Sequence, residues 1–280
     1  MSLPQAQSIF TMPVLAEVGQ LDFERSARIL RARAGIVIGS HKQEMAARTL
    51  GLRTKSMGLN NVREYLDHLE HNPNSTEWEA FVNAFTINHT AFFREQHHFD
   101  VLADFSKDRK KPLSVWCAAA STGEEPYSIA MILRESCLQP DIGVSIYATD
   151  IDTRAIERAK EGVYSQDRVQ PVPHAYLKKY FQRGTGRRSG MVRVKSSLRE
   201  MIEFDTFNLL SKSWPTDRKF DAIFCRNTMI YFDKPTQTGI LERFAPMLKP
   251  GGLLFAGHSE NFTYLTKAFR LQGQTVYTPT

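Results

Sequence analysis

Cysteine is scarce in this 280-residue chain: Cys117, Cys137 and Cys225 are the only three, they sit in apolar surroundings, and none forms a CxxC pair. That excludes a disulfide framework and a zinc-ribbon type of metal site, and predicts a reducing compartment, the cytosol. Long apolar runs are missing too. None approaches the roughly 18 to 20 residues that cross a bilayer, and no basic start followed by an apolar stretch opens the chain, so a membrane-embedded or secreted protein is not expected. Nor is there an excess of acid. Lys and Arg number 36 against 30 Asp and Glu, a net charge of +6, which favours an acidic partner, either nucleic acid or an acidic protein surface. What the chain has is 42% hydrophobic residues, enough for a sizeable core in one or two domains.

The first ninety or so residues read as helices. Val62, Tyr65, Leu66 and Leu69 recur at the spacing of one helix face, and Trp78, Phe81, Val82 and Phe85 repeat it. Asn74 precedes Glu77 by three positions, which predicts a capping box, with Pro73 just outside. An earlier helix over about Asp22 to Ala34 stops at Gly35, where a terminating glycine is expected. Between them, His41 to Met57 carries Lys42, Arg48, Arg53 and Lys55 among a few apolar positions, Met45, Leu50 and Leu52. That gives a helix with a broad cationic face, which is also how an ordinary solvated surface looks.

From about residue 112 strand and helix alternate. Leu113 to Ala119 predicts a strand, followed by a helix from Glu124 with Pro126 in its first turn, where the missing N–H costs nothing. Val144 to Thr149 is a second strand, ending at Asp150 and Asp152 before a helix through Ala155, Ile156 and Ala159. Phe220 to Cys225 is a third, followed by a helix through Ile240, Leu241, Phe244 and Leu248. Lys249-Pro-Gly-Gly252 breaks that helix ahead of a strand over Leu253 to Ala256. Such alternation predicts a doubly wound α/β sheet, and Phe269 to Tyr277 could close it with an antiparallel hairpin. One piece stands outside the pattern. From about Tyr164 to Ser197 a short helical stretch is followed by glycines, by Arg187, Arg188 and Arg193, and by the alternating Met191-Val-Arg-Val-Lys195. It predicts a small β-rich insertion with a basic rim, which either accepts a peptide by strand addition or simply packs on the sheet.

Strand ends of an open parallel sheet form its ligand crevice. The first such turn, Ala118-Ala-Ala-Ser-Thr-Gly-Glu-Glu, lacks the glycine spacing that brings backbone against a pyrophosphate, and its two glutamates would repel one. A cationic ligand without phosphate suits it better. S-adenosylmethionine carries a sulfonium and an α-ammonium that Glu124 or Glu125 could accept, and Asp150, ending the second strand, is placed for ribose hydroxyls. The same acids could instead stabilise helix starts, Glu124 and Glu125 through the dipole and Asp152 as an N-cap. His97 and His98 are adjacent, so on a helix they point apart and no metal site is expected.

The segments Asn88-His-Thr-Ala-Phe-Phe-Arg-Glu95, Ala118 to Pro126, Ala148-Thr-Asp-Ile-Asp152, Phe224-Cys-Arg-Asn-Thr-Met-Ile-Tyr-Phe232 and Gly257-His-Ser-Glu-Asn261 together resemble the motifs of the CheR family of chemotaxis receptor methyltransferases, in the same order, from about residue 20 onward. The resemblance implies an α/β fold: a Rossmann-like class I methyltransferase domain over 112–280, with a small antiparallel β-subdomain inserted at about 164–197. A helical N-terminal domain over 1–86 and a linker over 87–111 would precede it. It implies methyl transfer from S-adenosylmethionine to glutamate side chains on the cytoplasmic helices of bacterial chemoreceptors, leaving S-adenosylhomocysteine. By position, Asn88, Thr90 and Arg94 would lie beside the cofactor, Glu125 would bind its amino group and Asp150 its ribose. Asn208 and Leu209 would flank the adenine, Arg226 and Asn227 would reach the methionine end, and Tyr231 would lie near the transferred methyl, with Arg94 orienting the substrate carboxylate. Arg48, Arg53 and Lys55 would face the receptor helix, and the insertion with Arg187, Arg188 and Arg193 would hold a short peptide from the receptor's C-terminus.

The chemistry agrees with the residues present. A glutamate with its usual pKa of about 4.3 is already ionised at neutral pH, so no general base is needed and positioning should dominate. A nucleic-acid amino methyltransferase would carry an Asn/Asp-Pro-Pro-Tyr type of turn after the fourth strand; this chain has Arg226-Asn-Thr-Met. A receptor-binding protein without catalysis would have no need of Glu125, Asp150, Asn208 and Asn227.

Overall fold

A computed structural model describes residues 18–107, 109–137 and 143–280. The opening of the chain, where no leader is expected, lies outside the described residues. The described chain forms two compact units, one holding the residues up to Ile29 and Ile38–Phe85, the other Leu30–Val37 and Thr86–Thr280.

The first unit is built from helices α1 (Gln20–Ala34), whose last turn belongs to the second unit, α2 (Gln43–Ser56), α3 (Val62–His71) and α4 (Glu77–Phe85). The apolar stripes seen in the sequence form its core: Ala46, Leu50, Tyr65, Leu66, Leu69 and Phe81 are fully buried. Phe81 stands edge-on to Phe85 at 5.2 Å. The capping expected of Asn74 and Glu77 is not what the structure uses. The Glu77 amide donates its hydrogen bond to the Ser75 hydroxyl oxygen at 3.2 Å. Its carboxylate turns inward, accepting from Arg53 Nε at 2.8 Å, from Arg53 Nη2 at 2.5 Å and from the Tyr65 hydroxyl at 2.7 Å. An N-cap forms instead at Asn61, whose Oδ1 accepts from the Glu64 amide and whose Nδ2 donates to the Glu64 carboxylate, both at 2.9 Å.

The second unit contains α5 (His97–Lys107), β1 (Leu113–Cys117), α6 (Glu124–Ser136), β2 (Val144–Asp150), α7 (Thr153–Glu161), β3 (Val163–Ser165), α8 (His174–Tyr180), β4 (Phe181–Arg183), β5 (Met191–Val194) and α9 (Ser196–Arg199). There follow β6 (Ile202–Thr206), β7 (Phe220–Cys225), α10 (Lys234–Phe244), β8 (Leu248–Ala256), β9 (Phe269–Gly273) and β10 (Val276–Pro279). A seven-stranded sheet runs in the order β6-β2-β1-β7-β8-β10-β9. The first five strands in that order are parallel, while β10 is antiparallel to both β8 and β9. From β1 the chain builds outward to β2 and β6, then returns to lay β7 and β8 on the other side. The reversal falls between β1 and β7, which defines the ligand crevice at their carboxyl ends.

The registers bring those ends level: Cys117 pairs with both Ala148 and Phe224, and Cys225 with Ala256. Helices cover both faces, so β7 is buried at all six positions. The one acid within it, Asp221, is satisfied by Lys249 Nζ at 2.7 Å and the Ser114 amide at 2.9 Å. Below one face Trp116 packs among Tyr147, Phe207, Trp214, Phe220 and Phe244, its indole N–H donating to Thr149 Oγ1 at 3.0 Å. The insertion is a separate three-stranded antiparallel sheet of order β3-β5-β4. Two features depart from the sequence reading. Strand β8 starts at Leu248, because Lys249-Pro-Gly-Gly252 bulges outward between the Phe220–Leu248 and Ala222–Leu253 pairs instead of ending a helix. Strand β6, mostly polar and lying at the sheet edge, has no clear apolar signature.

Candidate active site

Above the carboxyl ends of the parallel strands the loops after β1 and β7 meet the segment ahead of α5, and each holds residues in a backbone conformation that L-residues seldom adopt. Phe93, Glu95, Ser121 and Asn227 have φ of 54°, 58°, 48° and 54°. Such left-handed residues cost free energy and concentrate where geometry matters to function. Gly123 at φ 99° leads into α6, and a Cβ there would come within 2.7 Å of the Tyr164 hydroxyl.

The turn after β1 is tied to the end of β2. Asp150 accepts from the Ser121 amide at 2.8 Å through Oδ2 and from the Asp152 amide at 2.9 Å through Oδ1. Burial raises the Asp150 carboxyl, and these amides work against that rise. Asp152 caps α7 by accepting from the Arg154 and Ala155 amides at 3.0 and 3.2 Å. Its other oxygen accepts from Thr86 Oγ1 at 2.6 Å and from Asn88 Nδ2 at 2.7 Å. Asn88 Oδ1 in turn accepts from the Ser121 hydroxyl at 3.1 Å. Asn88, Ser121 and Asp150 thus form one connected rim.

The two glutamates opening α6 have different fates. Glu124 is fully buried and pairs with Arg168 of the insertion, also accepting from Thr122 Oγ1 at 2.6 Å. Glu125 points the other way: Oε1 accepts from Cys117 Sγ at 3.3 Å and Oε2 lies 3.0 Å from Arg226 Nη1. Burial raises the Glu125 carboxyl, with Arg226 acting in the opposite sense.

The Arg226 side chain is itself entirely buried. It bridges Glu125 to Glu95, whose Oε2 is 3.2 Å from Nη2, and donates to the Arg94 carbonyl. Burial pushes Glu95 up, but Arg226, the His258 amide and Asn227 more than offset this and bring it below its ordinary value. Glu95 Oε1 accepts from Asn227 Nδ2 and the His258 amide, both at 3.2 Å. Glu260 clamps the same loops from beneath, accepting from the amides of Asn227, Thr228 and Gly257 at 3.0, 2.9 and 2.6 Å.

Other residues singled out in the sequence lie as follows. Arg94 is half-buried and donates to the His89 carbonyl at 3.0 Å, and Thr90 is half-buried in the same stretch. Tyr231 is half-buried in the turn after β7, its carbonyl accepting from the Val37 amide at 2.9 Å. Asn208 donates to the Arg33 carbonyl at 2.8 Å and accepts from the Leu210 amide at 2.9 Å, while the Leu209 side chain is buried beside Trp116 in the core. Arg48 and Lys55 are exposed on α2, but Arg53 is half-buried against Glu77. Arg187, Arg188 and Arg193 are all exposed on the insertion. Sequence reasoning assigns no role to Glu95 and Glu260; their position at or near the end of a motif is the only signal available. Among the described residues no group of three or more His, Cys, Asp or Glu side chains could hold a metal ion, and no helix is long and apolar enough to cross a membrane.

This order of strands, with a buried carboxylate at the first helix start and a half-buried one at the end of β2, fits the class of methyltransferases that use S-adenosylmethionine. Residues 88–278 match the family described as CheR methyltransferase, SAM binding domain, and residues 21–86 match CheR methyltransferase, all-alpha domain. The chain is 48% identical over 278 residues to the chemotaxis protein methyltransferase of Salmonella typhimurium, covering 99% of this chain and 96% of that one. To the protein of the same name from Escherichia coli it is 47% identical over 278 residues, covering 99% and 97%. The chain belongs to the CheR family of chemotaxis protein methyltransferases. Its residues fit the cofactor: Glu125 is a buried carboxylate with acceptor capacity left for a cationic amino group, and Asp150 offers lone pairs beyond those used by its amides.

Proposed function

We propose that the protein methylates glutamate side chains on the cytoplasmic helices of bacterial chemoreceptors, forming glutamyl methyl esters and S-adenosylhomocysteine and so adapting the sensory response. The observation that carries this reading is the buried Glu125 carboxylate at the start of α6 together with Arg226-Asn227-Thr228-Met229 after β7, where an amino methyltransferase would carry an Asn/Asp-Pro-Pro-Tyr type of turn. When bound, S-adenosylmethionine supplies a sulfonium methyl whose carbon a carboxylate oxygen can take, the C–S electron pair staying on sulfur.

In this reading Glu125 holds the amino end and Asp150 the ribose, with Asn88 and Thr90 beside them and Asn208 and Leu209 bordering the base. Asn227, its backbone fixed by Glu260, forms the wall at the methionine end together with Arg226, whose contribution is made from behind Glu125. Arg94 and Tyr231 orient the incoming carboxylate, which arrives ionised and needs only alignment with the methyl. The division into a receptor-facing helical domain over 1–86, a linker over 87–111 and a catalytic domain over 112–280 belongs to the same reading, as does a cytoplasmic location.

Receptor contact is assigned to α2. His41, Met45, Arg48, Leu52 and Lys55 recur at helical spacing on the stretch from His41 to Lys55, and Met45, Leu52 and Lys55 are exposed there. They make a cationic stripe with apolar patches, suited to an acidic amphipathic helix. Reversing Arg48 and Lys55 to Glu is expected to raise the KM for receptor roughly fivefold to tenfold with cofactor affinity unchanged, as rim charges steer association more than they stabilise a fold. Arg53→Glu behaves differently: it leaves Glu77 buried without its partner, so the melting temperature falls. Steady-state kinetics and thermal melts of both variants check the contrast. The insertion's edge strands β3 and β4 are assigned to a C-terminal receptor peptide, added as a further strand beside Arg187, Arg188 and Arg193.

Incubating the protein with methyl-labelled cofactor and receptor-containing membranes tests the reaction. Label released as methanol by mild base marks a carboxylate ester; base-stable label on the receptor would refute it.

A further inference from the structure

Beneath the amino-end pocket lies a buried set of charges whose sum is not zero. Arg226 contributes one positive charge, Glu125 and Glu95 two negative ones, and all three side chains are largely or wholly shielded from water. Glu95 Oε2 and Arg226 Nη1 have no hydrogen-bond partner of good geometry among the described residues, so the cluster is held by charge more than by matched donors.

The groups facing it come from every neighbouring element. Cys117 reaches Glu125 from β1. From α5, His98 puts Nδ1 at 3.5 Å from Glu95 and donates through Nε2 to the Gln274 carbonyl at 3.0 Å. Burial lowers His98 to about 4, so it adds no charge near neutrality. Arg94 acts on Glu125 from the half-exposed side, where water screens it.

We infer that Glu95 and Arg226 are positioning residues for Glu125. Arg226 fixes the direction of the Glu125 carboxylate, and Glu95 takes up part of the Arg226 charge so that Glu125 keeps enough negative charge to attract an ammonium. This rests on the assignment of Glu125 to the cofactor's amino group. Glu95 does a second thing at the same point: through Asn227 and His258 it joins the loops after β7 and β8 to the segment ahead of α5. The pocket is therefore left one negative charge in excess, which a cationic amino group completes. An unmatched buried charge is costly until paired, and that cost becomes selectivity for a ligand that brings the missing charge.

The test uses the full-length protein and two uncharged-sulfur probes, S-adenosylhomocysteine and 5′-methylthioadenosine, the second of which keeps the nucleoside and the thioether and lacks the amino-acid end. Calorimetric titration gives their affinity ratio in the wild type, in Glu95→Gln and in Glu125→Gln. Glu95→Gln keeps the shape and removes the charge, leaving Arg226 to neutralise Glu125 alone. The expected result is a loss of roughly tenfold or more in S-adenosylhomocysteine affinity, the scale of a charge-assisted hydrogen bond, with 5′-methylthioadenosine affinity unchanged. Equal loss for both probes means a merely structural role and overturns the inference. So does an unchanged ratio in Glu95→Gln when Glu125→Gln abolishes selectivity, a result that leaves the Glu125 assignment standing. A wild type that does not distinguish the two probes sinks the Glu125 assignment itself. Should Glu95→Gln not fold, Glu95→Asp serves: it keeps the charge, so it is expected to retain most of the selectivity, and a ratio as low as that of Glu125→Gln counts against the inference.

Discussion

Replacing Asp150 by alanine is expected to weaken S-adenosylmethionine binding by about 1 to 3 kcal/mol, the usual scale for losing a charged acceptor, with the loss at the upper end of that range. The reason is that Asp150 has two duties. It keeps lone pairs beyond those it uses, which the proposed function gives to the ribose, and its bonded ones hold the Ser121 and Asp152 amides at 2.8 and 2.9 Å. Ser121 sits at φ 48°, a conformation that persists only while its surroundings enforce it. Without Asp150 the turn ahead of α6 loses its anchor along with the acceptor proposed for the ribose. Asp150→Asn keeps a carbonyl oxygen for one amide, so it should lose less. Calorimetric titration of both variants, with a thermal melt in the absence of cofactor, separates the contributions. Wild-type affinity in Asp150→Ala would remove this residue from the site.

The second large effect is a dependence of stability on pH carried by His98. Its ring is completely buried, and burial lowers its pKa from 6.5 to about 4. Between those values the unfolded chain binds a proton that the folded one refuses. Stability from this group is therefore intact above pH 6.5, declines as the pH falls, and is exhausted below about 4. The span corresponds to on the order of 3 kcal/mol, of which about 2 kcal/mol is lost by pH 5. Urea unfolding at pH 7.5 and pH 5 should show this loss in the wild type and a smaller one in His98→Gln, whose amide can still donate to the Gln274 carbonyl. Equal losses in both proteins would mean that other groups carry the acid sensitivity.

What could be read from the sequence and what could not divide along a physical line. Val62, Tyr65, Leu66 and Leu69 announce a helix because burial on one face imposes a period, and the wholly buried β7 announces itself as a nearly unbroken apolar run. Asp152 as a cap and Gly35 as a stop are equally local, each depending on residues within a turn. Glu77 shows where locality ends: its spacing from Asn74 is right for a capping box, yet Arg53, 24 residues earlier, offers a charged partner in the interior and prevails. Arg226 is the same lesson in the site. Nothing near it in the chain says that it is buried; its counter-ions are Glu125 and Glu95, about a hundred residues away or more. Lys249-Pro-Gly-Gly252 misleads for another reason, because a bulge at the start of a strand and a break at the end of a helix call on the same residue types.

Strand β10 lies between β8 and β9, and β9 has no other neighbour in the sheet. The Tyr277 hydroxyl accepts from the Phe262 amide at 3.1 Å, just beyond Glu260, while Gln274 and Thr275 take the Nε2 hydrogen of His98. A nonsense codon or an exopeptidase that removed the chain from Val276 onward would therefore strip two strands from the sheet for the loss of one. It would also loosen the support beside Glu260 and the loops that Glu260 clamps, so a strand that carries none of the proposed site residues belongs to the working parts of the enzyme.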